Sequence, residues 1–257
     1  MICMGIDAGS RAIKVVVYDG EQDKVLGQGI ANQGVHQLEL VQELSERVLA
    51  ECGIERANLD ATVATGYGRH RVELEGATTI TEISCHARGV RHLAPEVKTV
   101  VEIGGQDSKL IRLSEQGSVR DFSMNDRCAA GTGRFLEIVA ERLEISFEEM
   151  GRLVTESKNP ATISSMCAVF AETEIIGLLS DGISAADIAA GVQLSIATRM
   201  ASMAGRKVEA PVFLSGGVAL VPGMAKALEQ TLSQPITISP QPQYTGALGA
   251  AILAAGK

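Results

Sequence analysis

Two stretches of this chain are built to one plan. GIDAGSRAIKVVVYDG fills residues 5–20 and VEIGGQDSKLIRLSEQG fills residues 101–117. Each reads as an apolar strand, an acid, a glycine-containing turn, a lysine and a second apolar strand. Asp7 aligns with Glu102 and Gly9 with Gly104, about 95 residues apart. Duplication on this scale predicts two similar lobes with a nucleotide between them. A strand–turn–strand of this kind can wrap a phosphate with its backbone N–H groups. Glycine permits the close approach, and the acid holds Mg²⁺ or orients water. Either copy alone is equally well an ordinary β-hairpin with a glycine turn; the repetition weighs against that.

A third element lies in APVFLSGGVALVPGMAKALEQTL, residues 210–232, where an apolar strand meets Ser215-Gly216-Gly217 and then a helix. Diglycine at a strand end lets a flat group such as adenosine lie against the backbone. The alternative is a plain strand–helix turn. Around these elements, residues 38–52 predict a helix with Leu40, Val41, Leu44, Val48 and Leu49 on one face. ATVATGYG (61–68) predicts a strand ending in a glycine turn. SFEEM and SAAD place a serine three residues before an acid, the capping box that opens a helix at Ser146 and at Ser184. Ile188, Val192, Ile196, Met200 and Met203 form one stripe of the second of these, read as core.

Composition narrows the function. At 257 residues and 46% hydrophobic content the chain can bury a sizeable core in one large domain or two modest ones. Aromatics are 3% with no Trp, against a base-stacking platform. A formal charge of −8 and a pI near 5.1 argue against nucleic acid or an anionic membrane as partner. No apolar run approaches a membrane span, and MICMGIDAGS does not resemble a secretory signal. The expectation is a cytoplasmic protein, in which Cys3, Cys52, Cys85, Cys128 and Cys167 are core residues, metal ligands or redox groups rather than disulfides.

Two of these cysteines stand out. Cys128 sits in NDRCAAGTGRF (125–135), ahead of a glycine turn whose Gly131 and Gly133 are candidates for phosphate contact, and Phe135, Ile138, Val139 and Leu143 continue it as an amphipathic helix. Cys167 precedes AVFAETEIIGLLS, a second helical run. The free N–H groups of a helix N-terminus lower a thiol's pKa and steady an anionic metal–thiolate centre. Simple core packing is the alternative for both. Two thiolates cannot complete a four-coordinate iron–sulfur or zinc site. Cys3 lies in a strand, Cys52 ends a helix, and Cys85 stands beside His86 in the other lobe; there is no CxxC. If the two thiols hold a cluster, two chains must share it, and one 4Fe-4S cluster on the two-fold axis of a homodimer satisfies the count.

The three phosphate and adenosine elements, in this order, resemble those of the acetate-kinase, sugar-kinase, heat-shock-ATPase and actin superfamily. That implies an α/β fold of two actin/sugar-kinase-like lobes, each a mixed five-stranded sheet with helices, and a nucleotide in the cleft between them. YTGALGAAILAA (244–255) looks like the superfamily's closing helix. The expected lobes are residues 1–94 with 245–257, and 95–244. More specifically, NDRCAAGTGRFLE, SSMCAVFAETEII, ATGYGRH, TEISCHARG and IGGQDSK closely resemble the activators (component A) of 2-hydroxyacyl-CoA dehydratases, and equally the ATP-hydrolysing subunits of benzoyl-CoA reductases.

The resemblance spans essentially the whole chain. It implies an oxygen-sensitive homodimer with one 4Fe-4S cluster held by Cys128 and Cys167 of each subunit. ATP hydrolysis to ADP would drive a low-potential electron to an acyl-CoA dehydratase or a benzoyl-CoA reductase component, with a ferredoxin or flavodoxin as donor. Ser10, Arg11, Ala12, Ile13 and Lys14, with Gly9, Gly104 and Gly105, would cradle phosphate. Asp7 would hold Mg²⁺, and Glu102, Gln106 and Asp107 join it as candidate catalytic residues. Gly216, Gly217 and Gln243 would border the nucleoside. One departure stands out: the family's DIGGQD is EIGGQD here, so Glu102 keeps the charge but reaches one methylene further. A small-molecule kinase of the same fold would transfer phosphate and hold no iron, and a chaperone-like switch would carry a peptide-binding domain absent from this sequence.

Overall fold

The computed structural model describes every residue except 73, 75, 165, 166, 206, 207 and 257. The chain divides into two compact units, Met1–Glu96 with Leu113–Arg120 and Gln243–Lys257, and Val97–Arg112 with Asp121–Pro242. Each is built round a mixed five-stranded sheet.

The first sheet contains β1 (Ile2–Ala8), β2 (Ala12–Asp19), β3 (Lys24–Asn32), β4 (Ala61–Thr65) and β5 (Ala77–Thr79), in the order β3-β2-β1-β4-β5. The pairs β1–β2 and β2–β3 are antiparallel, and β4 lies parallel to β1. Helix α1 (Gln37–Glu51) follows β3, and α2 (Glu82–Leu93) follows β5. The near-continuous apolar run of β2 reflects burial on both faces. Ile13, Val15 and Val17 pack with Val41, Leu44 and Val48 of α1. Val16 and Tyr18, on the opposite face, pack with Ala247, Leu248, Ala251 and Ile252.

The second sheet, in the order β10-β9-β6-β7-β8, comprises β6 (Thr99–Ile103), β7 (Ser108–Leu113), β8 (Val119–Asn125), β9 (Val212–Ser215) and β10 (Ile236–Ile238). Among the described residues, four α-helices separate β8 from β9: α3 (Gly133–Leu143), α4 (Phe147–Glu156), α5 (Ala168–Ser180) and α6 (Ala185–Ala204); α7 (Met224–Leu232) joins β9 to β10. Val101, Ile103 and Leu110 of the sheet meet Phe135, Leu136 and Val139 of α3 in one core that also takes in the predicted stripe of α6. Ile188, Val192, Ile196 and Met200 of that stripe are fully buried and Met203 is half-buried. Both serine caps form: Ser146 Oγ accepts from Glu149 N–H at 3.1 Å and Ser184 Oγ from Asp187 N–H at 3.1 Å.

The last helix, α8 (Thr245–Ala254), returns to the first unit and is almost wholly buried. Its small residues are a packing requirement. A Cβ on Gly249 would lie 1.7 Å from the carbonyl oxygen of Cys85 in α2, backbone that no side-chain rotation can move aside. Gly249→Ala is expected to cost about 3 kcal/mol or more, at the upper end of overpacking penalties. Chemical denaturation followed by far-ultraviolet circular dichroism reads it out; an unchanged midpoint would refute the close approach.

Candidate functional site

The first hairpin sets an acid against a base. β1–β2 pairing puts Asp7 directly across from Lys14, and Lys14 Nζ lies 3.1 Å from Asp7 Oδ2. Asp7 is 3% exposed. Its other oxygen, Oδ1, is buried with no hydrogen-bond partner among the described residues. A buried carboxylate oxygen left in this state is costly unless something binds it. The space beside it is kept open by Gly66, where a Cβ would fall 2.5 Å from Oδ1. This donor fits a hard cation such as Mg²⁺, which takes few protein carboxylates and keeps much of its water. Gly9 and Ser10 are half-buried in the turn and Arg11 is exposed. Ile13 points its side chain into the core, so only its backbone is left to serve the turn. Gln33, which the sequence did not single out, fastens this turn. Its Nε2 donates to the Gly9 carbonyl at 2.9 Å and its N–H to the Arg11 carbonyl at 2.9 Å.

The second hairpin repeats the arrangement. Glu102 lies across from Lys109 in the β6–β7 register, as Asp7 does from Lys14. Lys109 is fully buried, with Nζ 2.7 Å from Glu102 Oε2 and 2.8 Å from Asp107 Oδ2. An ammonium taken wholly out of water needs such compensation. Two carboxylates thus share one buried lysine. Lys109 is missing from the sequence-based site, although its place in the repeat, matching Lys14, was the signal for it. Gly104 N–H donates to the Asp107 carbonyl at 2.9 Å and closes the turn, and Gln106 is exposed at its tip.

Around Cys128 the expected order of cysteine, glycine turn and helix forms. The half-buried Cys128 caps a single 3₁₀ turn, Ala129–Gly131, and α3 begins only at Gly133. The first N–H groups of α3 are also committed: Gly133 donates to the Gly104 carbonyl at 2.9 Å and Arg134 to the Gly105 carbonyl at 2.8 Å. Gly131 is buried. The glycines of this turn thus let α3 seat against the turn of the second hairpin, and the N–H of Gly133 is spent on protein.

Cys167 caps α5 as expected and is half-buried. The segment before it is tied down by two carboxylates. Asp187 accepts from Ser157 Oγ at 2.7 Å and from the N–H groups of Lys158 and Asn159 at 3.1 and 3.0 Å. These bonds, that from Asn159 N–H foremost, hold its pKa down at about 2. Glu174 of α5 accepts from Ser164 N–H and Oγ at 2.9 and 2.7 Å. The other thiols differ. Cys3 and Cys85 are fully buried, and burial pushes the Cys85 thiol up to about 12; Cys52 packs against the first core. α5 also exposes Val169 at 66% and Phe170 at 70%, immediately after its cysteine.

The adenosine element forms as a strand end. β9 runs into Gly216, whose N–H donates to the Pro242 carbonyl at 2.9 Å, and Gly217 opens a 3₁₀ turn to Leu220. Ser215 Oγ is buried with no hydrogen-bond partner among the described residues. Gly216 and Gly217 belong to the second unit, while the half-buried Gln243 belongs to the first.

Comparison with known proteins identifies the family of the chain. The profile of the BadF/BadG/BcrA/BcrD ATPase family matches residues 4–254. The activator of lactoyl-CoA dehydratase from Anaerotignum propionicum is 41% identical over 259 residues, covering 99% of this chain and 97% of that protein. A benzoyl-CoA reductase component from Thauera aromatica is 35% identical over 262 residues, covering 98% and 92%. The solved activator of the 2-hydroxyisocaproyl-CoA dehydratase from Clostridium difficile, with bound ADPNP, superposes with a TM-score of 0.92 at 38% identity, covering 100% and 95%. Sugar kinases share the fold. Agreement along the full length with proteins of matching size shows that this chain belongs to the BadF/BadG/BcrA/BcrD ATPase family.

Proposed function

We propose that this protein is an ATP-hydrolysing activator that delivers a low-potential electron to a 2-hydroxyacyl-CoA dehydratase. Its relatives and the nucleotide in the similar solved structure support the ATPase half of that reading. The observation that carries the redox half is the contrast among the five cysteines. Cys128 and Cys167 are half-buried and each stands at the N-terminal boundary of a helical turn, while Cys3 and Cys85 are sealed in core and the half-buried Cys52 follows the C-terminus of α1. Two ligands per chain call for a second copy, and the exposed Val169 and Phe170 beside Cys167 are the kind of surface a partner covers. A benzoyl-CoA reductase is the alternative electron acceptor, supported by the likeness to the Thauera aromatica protein.

In this reading Asp7 holds Mg²⁺ through Oδ1, and Lys14 offsets phosphate charge. Glu102 and Asp107, set by Lys109, place water and metal. Hydrolysis then proceeds by positioning and charge neutralisation. Gly9 to Lys14 and Gly104–Gly105 meet phosphate; Gly216, Gly217 and Gln243 border the nucleoside. Cys128 and Cys167 of two chains would hold a 4Fe-4S cluster, which when bound supplies a one-electron carrier. The two bonds from α3 to Gly104 and Gly105 join the phosphate turn to the cysteine segment, so nucleotide state reaches both. The donor would be a ferredoxin or flavodoxin. We place the protein in the cytoplasm; no helix among the described residues is long and apolar enough to cross a membrane.

Anaerobic purification tests this. The expected product is a brown homodimer with about four irons per dimer, the number one shared cluster requires. Four irons per monomer, or zinc in place of iron, overturns the shared site. An iron-free protein that phosphorylates a small molecule establishes the kinase instead.

A further inference from the structure

The segment carrying Cys128 is closed on itself by one side chain. Asn125, the last residue of β8, donates from Nδ2 to the Cys128 carbonyl at 2.8 Å, and its Oδ1 accepts from the Cys128 N–H at 3.1 Å. One carboxamide thus serves both backbone polar groups of the cysteine. The residues in between, Asp126 and Arg127, are exposed, so the loop is gripped at its root rather than packed along its length. The amide is also wedged against the following 3₁₀ turn, where a Cβ on Gly131 would lie 3.3 Å from Nδ2. Asn125 and Cys128 share the wall of a cavity of about 680 Å³ with Thr162, Ile163, Ser195 and Arg199, so the clasp fixes the cysteine beside open space.

We propose that Asn125 is a positioning residue for Cys128: its carboxamide fixes the backbone of that cysteine and so the direction in which the thiol leaves the turn. The role presupposes Cys128 as a cluster ligand. A side chain that bonds both the N–H and the C=O of one residue must be donor and acceptor together. Aspartate keeps the acceptor but loses the donor and sets a carboxylate oxygen against the Cys128 carbonyl. Alanine supplies neither. A thiolate held in place beforehand surrenders less freedom when it is captured, the general benefit of a preorganised site.

The test uses the full chain stripped of iron, as wild type, Asn125→Ala and Asn125→Asp, treated with iodoacetamide at one pH. Peptide mass spectrometry follows each cysteine separately. Losing the clasp should raise the Cys128 alkylation rate about fivefold or more in Asn125→Ala, and raise it in Asn125→Asp as well, with Cys52 and Cys167 unchanged. After reconstitution with iron and sulfide, the reduced variants should show an altered electron paramagnetic resonance signal. Equal Cys128 rates in all three proteins overturn the proposal. So does a rise shared by the buried Cys3 and Cys85, which marks general loosening. Should Asn125→Ala fail to fold, Asn125→Asp carries the comparison. A Cys128 rate that responds in a protein whose wild type takes up no iron leaves the clasp standing and removes the ligand reading; iron uptake with an unresponsive rate removes the clasp alone.

Discussion

Cys128→Ala or Cys167→Ala is expected to abolish iron binding while leaving ATP binding in place. Each substitution removes one thiolate per chain, and so two of four from a symmetric shared site. A cluster with half its protein ligands is lost or grossly unstable. The phosphate hairpins sit on β1–β2 and β6–β7, away from the cysteine turns in sequence, so nucleotide affinity should stay within a few-fold of wild type. Hydrolysis is expected to change more in Cys128→Ala, because α3 bonds to Gly104 and Gly105 just beyond that turn. If the thiols only fill space, each truncation costs about 1 kcal/mol and leaves function intact. Iron content, ATP affinity and electron delivery to a dehydratase, all measured anaerobically, separate the two. Full iron and full delivery in both variants would reduce these cysteines to core.

Asp7→Ala is expected to lower Mg²⁺-dependent ATP turnover roughly a hundredfold or more, the scale of losing one preorganised electrostatic group at a reacting centre. The reason is specific to the oxygen left over: Oδ2 is held by Lys14 and Oδ1 is buried without a partner among the described residues. Asp7→Asn keeps the shape and removes the charge, so it should lose turnover nearly as fully while keeping the fold. Lys14→Ala should weaken turnover too, by removing phosphate neutralisation and leaving the Asp7 carboxylate without its ion pair. Melting temperatures read alongside turnover show whether folding or chemistry was lost. Unchanged turnover and nucleotide affinity in both alanine variants would make the first hairpin purely structural.

What the sequence determined by itself was what local rules govern. The repeat of acid, glycine turn and lysine fixed two hairpins in equivalent register, because antiparallel pairing across a short turn leaves little choice of partner. Ser146 and Ser184 announced their helices because a cap acts within one turn.

Tertiary structure decided what depends on atoms brought together from distant positions or on the path of a loop. Lys109 became a buried link between Glu102 and Asp107 only when the second hairpin was sealed in its unit. Asp7 acquired its bare oxygen from burial beside Gly66, which no spacing rule announces. The helix after the Cys128 turn gives its first N–H groups to carbonyls about 30 residues earlier, partners that no local rule announces. Periodicity and capping propensity report what a segment does alone. Where an N–H or a carboxylate finds its partner is set by long-range packing, and the chemistry of this protein is organised by those partners.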